Sequence, residues 1–165
     1  MMTMLWRLQD FASRRDHAAQ AMERQFGAIP YTTVGDRVAF LLITSRRSGR
    51  WIFPKGAPEK GMTEWDLAAE EARQEAGVIG RVDSTPIGSY RDWKTRGLRR
   101  VPIEVFMFPL RVERQLGDWP EDQQRYRHWA IFPEARRLLT NPGLVEMIAR
   151  IDESVRREVA ALSRM

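Results

Sequence analysis

Apolar positions fall along this chain in two rhythms, one of strands and one of helices. Ala28 to Val34 and Arg37 to Thr44 are short, β-rich apolar runs, and Gly35-Asp36 between them reads as a turn, so a hairpin is predicted. Trp51 to Phe53 predicts a short strand that stops at Pro54, followed by a glycine-bearing loop, GAPEKG. Helical spacing takes over from about Thr63 to Ala76. Thr63 with Asp66 makes a capping-box-like start, and Gly77 is a natural stop. Two further strands are expected near Val82 to Trp93 and Arg100 to Val112. The polar loop GDWPEDQQ then leads to a last strand near His128 to Phe132. A short helix after Pro133 and a longer one from about Pro142 to Leu162 complete the pattern. Ahead of all this, residues from about Thr3 to Arg24 place Leu5, Leu8, Phe11 and Ala12 on one side of a helix, which Gly27 and Pro30 stop.

The order of strands, helix, strands, helix predicts an α+β fold with a mixed sheet between helices, an α/β/α sandwich. Regular alternation is missing, so a doubly wound sheet is not expected. The 165 residues suit one domain, read as a helical extension over 1–25 and a core domain over 26–165. The extension is expected to pack against its own domain or a partner, a homodimer included. No apolar run approaches the roughly 20 residues that span a bilayer, and the N-terminus lacks the pattern of a secretory signal.

Charge and cysteine content narrow the chemistry. Lys and Arg number 27 against 22 Asp and Glu, a net charge of +5, and arginine dominates the cations. Guanidinium forks suit phosphate groups. The absence of cysteine excludes disulfides, thiolate metal sites and a cysteine nucleophile, and it fits a reducing compartment, so a cytoplasmic protein is expected.

Glu71 and Glu75 are four apart on the predicted helix and share one face, with Gln74 beside them. Two like charges at that spacing cost a few tenths of a kcal/mol on an ordinary surface helix. A divalent cation reverses the sign, because Mg²⁺ joins one or two carboxylates to substrate phosphates. Gly56, in the loop before the helix, can offer its carbonyl with no side chain in the way. Basic residues come in separate groups. Arg46, Arg47, Arg50, Lys55 and Lys60 flank the loop, Arg91 to Arg100 cluster around WKTRGLRR, and Arg125 and Arg127 form a third group. Several arginine clusters suit a ligand carrying many phosphates. Trp93 beside such charges could also stack on a base, which keeps nucleic acid as a second choice of ligand.

The stretch WIFPKGAPEKGMTEWDLAAEEARQEAGV, Trp51 to Val78, resembles the Nudix box, G-x5-E-x7-R-E-U-x-E-E-x-G-U with U aliphatic. Gly56, Glu71, Glu75, Gly77 and Val78 match. Met62, Glu70 and Gln74 stand where the pattern has glutamate, arginine and glutamate. The lead-in TSRRSGRWIFPKG and the later DWPEDQQRYRHW are similar to the diphosphoinositol polyphosphate phosphohydrolase-like subgroup and its bacterial relatives, with His128 where glutamate is usual. The resemblance covers about Phe26 to Ile148. It implies a Nudix fold and a hydrolase that cleaves a diphosphate linkage in a polyphosphorylated small molecule, of the diphosphoinositol polyphosphate or dinucleoside polyphosphate class, with Mg²⁺ or Mn²⁺. It implies Glu71 and Glu75 as catalytic residues and Gly56, Glu71, Gln74 and Glu75 around the metal. It implies Arg46, Arg50, Lys55, Arg100, Arg125 and Arg127 around the substrate. Loss of the glutamate–arginine pair at Met62 and Glu70 leaves no stranded charge, with Glu70 free to pair with Arg73 or Lys60. Gln74 removes a full charge and is expected to reduce activity, with Glu59, Glu64 or Glu104 as candidate substitute carboxylates. The alternative is an inactive Nudix-fold module that binds a phosphorylated ligand or an RNA 5′ end.

Overall fold

The computed structural model describes residues 22–165, so the helical extension expected over 1–25 lies almost wholly outside the described residues. The described chain forms eight strands and three helices: β1 (Glu23–Val34), β2 (Arg37–Thr44), β3 (Trp51–Ile52), β4 (Lys55–Gly56), α1 (Glu64–Glu71), β5 (Val78–Val82), β6 (Gly88–Arg96), β7 (Arg99–Gln115), β8 (Arg127–Ile131), α2 (Phe132–Leu138) and α3 (Pro142–Leu162). One mixed sheet runs β3-β2-β1-β7-β5, with β4 added to β1, β6 to β7 and β8 to β2. The β1–β7 pair is parallel. Every other pairing is antiparallel.

Both faces of this sheet are covered, which is why its central strands read as continuous apolar runs. In β2, Val38, Phe40 and Leu42 point into one core with Leu144, Met147, Ile148, Ile151 and Val155 of α3. Leu41 and Ile43 point into the other, with Leu67, Ala68, Ala72 and Ala76. Phe40 is fully buried, and its truncation to alanine should cost about 3–5 kcal/mol. The small residues Ala68, Ala72 and Ala76 let the box helix lie close on the sheet. Thr63 caps α1 by accepting from the Asp66 amide at 3.2 Å, and Asn141 caps α3 by accepting from the Gly143 amide at 2.9 Å.

Three expectations need correction. Gly27 and Pro30 do not end a helix; both lie inside β1, which begins at Glu23. Proline fits there because β4 pairs with Phe26–Gly27 and β2 with Tyr31–Val34, leaving the Pro30 position between them without a demand for an N–H. The run expected as one strand from Val82 to Trp93 is two strands, β5 and β6, separated by a segment that contains Pro86. The box helix also does not stay α-helical to Ala76. From Ala72 to Ala76 it widens into a π-turn before Gly77 closes it at φ +65°.

Candidate active site

The site is built where β1, β4 and the end of the box helix meet. Gly27 of β1 pairs with Lys55 of β4, and a Cβ at Gly27 would lie 2.6 Å from the Pro54 carbonyl oxygen. Only glycine lets this loop sit so close to the sheet. Gly56 repeats the device on the other side: a Cβ there would run into the Glu71 carboxylate. The two glycines therefore press the loop between the sheet and the helix carboxylates.

The π-turn brings Glu75 to the same place. π-turns of this kind recur at functional sites, because they displace side chains from α-helical register. Glu75 is 8% exposed, and both of its oxygens are engaged. Oε1 faces Arg125 Nη2 at 3.0 Å, and Oε2 accepts from the Lys55 amide at 3.3 Å. Burial pushes the Glu75 carboxyl up to about 7; Arg125 pulls it down, and the charges of Glu71 and Glu121 push it further up. Glu71 is also raised, by burial first and by Glu121 next, while a hydrogen bond with Glu75 draws it back. Two carboxyls thus share a buried space in which full ionisation of both is opposed. Lys55 completes the floor. Its ammonium is lowered by burial against the pull of Asp92 and Glu75, and Nζ donates to the buried Gln25 Oε1 at 3.3 Å.

The other expected residues divide clearly. Arg50 lies on the wall of a neighbouring cavity of about 320 Å³ with Trp51, Tyr90, Asp92 and Asn141. Arg46 reaches across to the GDWPEDQQ loop, donating to Gln124 Oε1 at 2.8 Å, with Glu121 at 3.6 Å. Arg125 is 6% exposed and is held by Glu75, by Glu121 at 3.3 Å and by the Thr44 carbonyl at 2.9 Å, so its fork is already filled. Arg127 is likewise turned inward: it donates to the carbonyls of Ala76 at 3.0 Å and Leu116 at 2.7 Å. Arg100 lies over the Trp93 ring at 5.1 Å. Trp93 alternates with Asp92 and Lys94, the neighbours of Lys55, so Arg100 is on the opposite face of the ribbon from those two residues.

Gln74, expected beside the metal ligands, is instead turned to Glu70, whose Oε1 accepts from Gln74 Nε2 at 2.8 Å. Arg73 holds the same carboxylate at 2.6 Å and, with Gln74, depresses Glu70 to about 2. Of the proposed substitutes, Glu59 and Glu64 line a groove with Met62 on the far side of the loop, and Glu104 accepts from the Ser89 hydroxyl at 2.9 Å. The carboxylate that does come near is Glu121, which sequence reasoning passed over. Its signal was the acidic position in DWPEDQQ, two residues after a tryptophan.

The donor set fits a hard divalent cation. Two adjacent carboxyls, both raised first by burial and lying under a glycine, suit Mg²⁺ when phosphates and water supply the remaining ligands. Among the described residues no group of three or more acidic, histidine or cysteine side chains forms a complete cage.

No family model matches the sequence. Nudix hydrolase 13 of Arabidopsis thaliana, a protein named as mitochondrial, is 31% identical over an alignment of 150 residues that covers 75% of this chain and 71% of that protein. This chain belongs to the Nudix hydrolase family. Nudix hydrolase 18 of the same plant, also named as mitochondrial, is 34% identical over an alignment of 117 residues that covers 67% of this chain. The chain spans 65% of the length of that relative. The Nudix fold is matched independently in solved structures. A binary complex of the C. elegans Ap4A hydrolase has TM-score 0.61 at 15% identity, covering 81% of this chain and 98% of its own. The NUDIX domain of Shewanella oneidensis NrtR, crystallised with ADP ribose, has TM-score 0.61 at 10% identity, covering 87% and 96%. Among the described residues no helix of this Nudix protein is long and apolar enough to cross a membrane.

Proposed function

We propose that this Nudix protein hydrolyses a diphosphate linkage in a polyphosphorylated small molecule, with a divalent cation held by Glu71 and Glu75. The observation that carries this is the carboxyl pair pressed under Gly56, Glu75 buried and Glu71 half-buried, with Lys55 on its floor. Mg²⁺ or Mn²⁺, when bound, supplies charge neutralisation for phosphate and lowers the pKa of a water. Of the expected cations, Lys55 and Arg50 suit phosphate best, since their side chains bond only neutral Gln25 and Ser48, whereas Arg46 and Arg125 pair with Glu121, Arg127 is held by carbonyls and Arg100 lies over Trp93. Glu75, fixed through both oxygens, is suited to hold position. Glu71 beside it is suited to take a proton from the attacking water. The molecules named for the structural neighbours, Ap4A and ADP ribose, share a diphosphate bridge and agree with this class.

The test is phosphate release with excess Mg²⁺ or Mn²⁺ from a diphosphoinositol polyphosphate, diadenosine tetraphosphate and ADP ribose. Turnover of at least one that Glu75→Gln abolishes is the expected result. Activity that survives Glu75→Gln would place the chemistry elsewhere. A second reading, a binding module without turnover, draws on Gln74 being turned to Glu70. Tight metal-dependent binding with no release from any substrate would favour it.

A further inference from the structure

The GDWPEDQQ loop is bound to the last turn of the box helix far more firmly than a connection needs. Trp119 Nε1 donates to the Glu75 carbonyl at 3.2 Å. The Glu121 amide donates to the Gln74 carbonyl at 3.1 Å, and the Leu116 amide to the Gly77 carbonyl at 2.8 Å. Arg127 then fills the remaining space. Its guanidinium stacks on the Trp119 ring at 3.8 Å and donates to the Ala76 carbonyl at 3.0 Å. These are the carbonyls that a helix end leaves without partners. A cation there also meets the negative end of the helix dipole.

The clamp bears on the one residue whose place matters most. Glu75 lies inside the π-turn, and its own carbonyl is gripped by Trp119 while its carboxylate points at Lys55. Gly77 is shaped to the clamp: a Cβ there would lie 2.7 Å from both Arg127 Nη1 and Trp119 Cγ. We infer that Trp119 and Arg127 are positioning residues, holding the π-turn so that the Glu75 carboxylate stays aligned beside Glu71. This rests on the assignment of Glu75 to metal and catalysis. It gives Arg127, expected from the sequence to contact phosphate, a different task.

Trp119→Phe keeps the ring under Arg127 and deletes only the N–H to Glu75. Arg127→Lys keeps the charge and loses the fork that spans Ala76 and Leu116. Trp129→Phe is the control, because it removes an indole bond to Gln115 at 2.6 Å and leaves the carbonyls of Glu75 and Ala76 with their partners. The direct readout is hydrogen exchange of the Lys55 amide in metal-free protein, since that amide donates to Glu75 Oε2. Exchange should rise about fivefold to tenfold in both clamp variants and stay unchanged in the control. Mn²⁺ affinity and kcat should each fall roughly 10–100-fold, the size of effect seen when groups behind metal ligands are altered, with KM nearly constant. A clamp that is only packing would lower the melting temperature and leave Lys55 exchange, Mn²⁺ affinity and kcat at wild-type values, and that result overturns the inference. Should the wild type turn over no substrate, the functional assignment fails on its own. Lys55 exchange and Mn²⁺ affinity still decide the clamp, which is overturned if both variants leave them unchanged.

Discussion

Replacing Glu75 by glutamine should make the metal-free protein more stable at neutral and higher pH, although it removes one side of a buried ion pair. Burial raises Glu75 from 4.5 to about 7 despite Arg125 at 3.0 Å. Below pH 4.5 both folded and unfolded chains hold this proton, and the group's contribution to stability is complete. Between 4.5 and 7 the unfolded chain releases the proton first, so stability falls as pH rises, and above about 7 nothing more is lost. A shift of this size corresponds to about 3 kcal/mol. Glutamine occupies the same volume and carries no charge, so the variant escapes that loss. Arg125 retains Glu121 and the Thr44 carbonyl, which limits what the exchange costs it.

The assay is urea or thermal unfolding of both proteins in EDTA at pH 4.5 and pH 8. Taking the difference between them cancels Glu70, whose depressed carboxyl acts in the opposite sense at low pH. The two proteins should be nearly equal at pH 4.5. At pH 8 the variant should be ahead by about 3 kcal/mol, roughly 6–12 °C in Tm for a chain of this size. Saturating Mn²⁺ should then reverse the order, stabilising the wild type alone. A pH-independent difference would refute the reasoning. So would a variant that is weaker at pH 8, since that would mean the Arg125 pair outweighs burial and Glu75 is ionised throughout.

Three further outcomes follow from the same geometry. Gly56→Ala should displace the Glu71 carboxylate and weaken Mn²⁺ binding by at least about tenfold by calorimetric titration, with little change in Tm, because a side-chain end is easier to move than backbone. Arg50→Ala should weaken polyphosphate binding and flatten its salt dependence, whereas Arg100→Ala should leave both unchanged; an equal loss in the two would return Arg100 to the site. Gly77→Ala should cost more than about 1 kcal/mol in urea unfolding, since φ is +65° and the added carbon meets Arg127 and Trp119.

Much of the frame was legible because local signals carry it. The β2 boundaries, the Thr63 cap and the Gly77 stop all rest on chemistry within a few residues. Glu71 and Glu75 were legible for the same reason, as a spacing on one helix. The π-turn was not, because the demand for it comes from Trp119, Glu121 and Arg127, some 40 to 50 residues further along the chain. The state of the arginines was hidden in a related way. Composition shows that guanidiniums are abundant, yet only the fold shows which are already committed. Arg125 and Arg127 are filled by acceptors of this chain, and Arg100 is set apart by the two-residue period of its ribbon.

The altered box positions also separate into two physical kinds. Met62 and Glu70 replace an ion pair at the rim, and the structure shows what followed. Met62 stands 38% exposed beside Pro58 and Leu67, and Glu70 has found Arg73 within its own helix. Met62 stays at the rim, and Glu70 reaches the carboxyl pair only through its charge, which raises Glu71 a little further. Gln74 is different, since it lies one residue before Glu75 and its amide now belongs to the Glu70 cluster. A glutamate at that position would face the depressed, ionised Glu70 and be pushed from it. The substitutions at positions 70 and 74 are therefore coupled: the glutamate at 70 gives the glutamine at 74 a partner outside the site. Gln74→Glu alone should tighten Mn²⁺ more than Glu70→Arg alone, and the double variant should differ from the sum of the two. Additive effects in that double-mutant cycle would show that the two positions act independently.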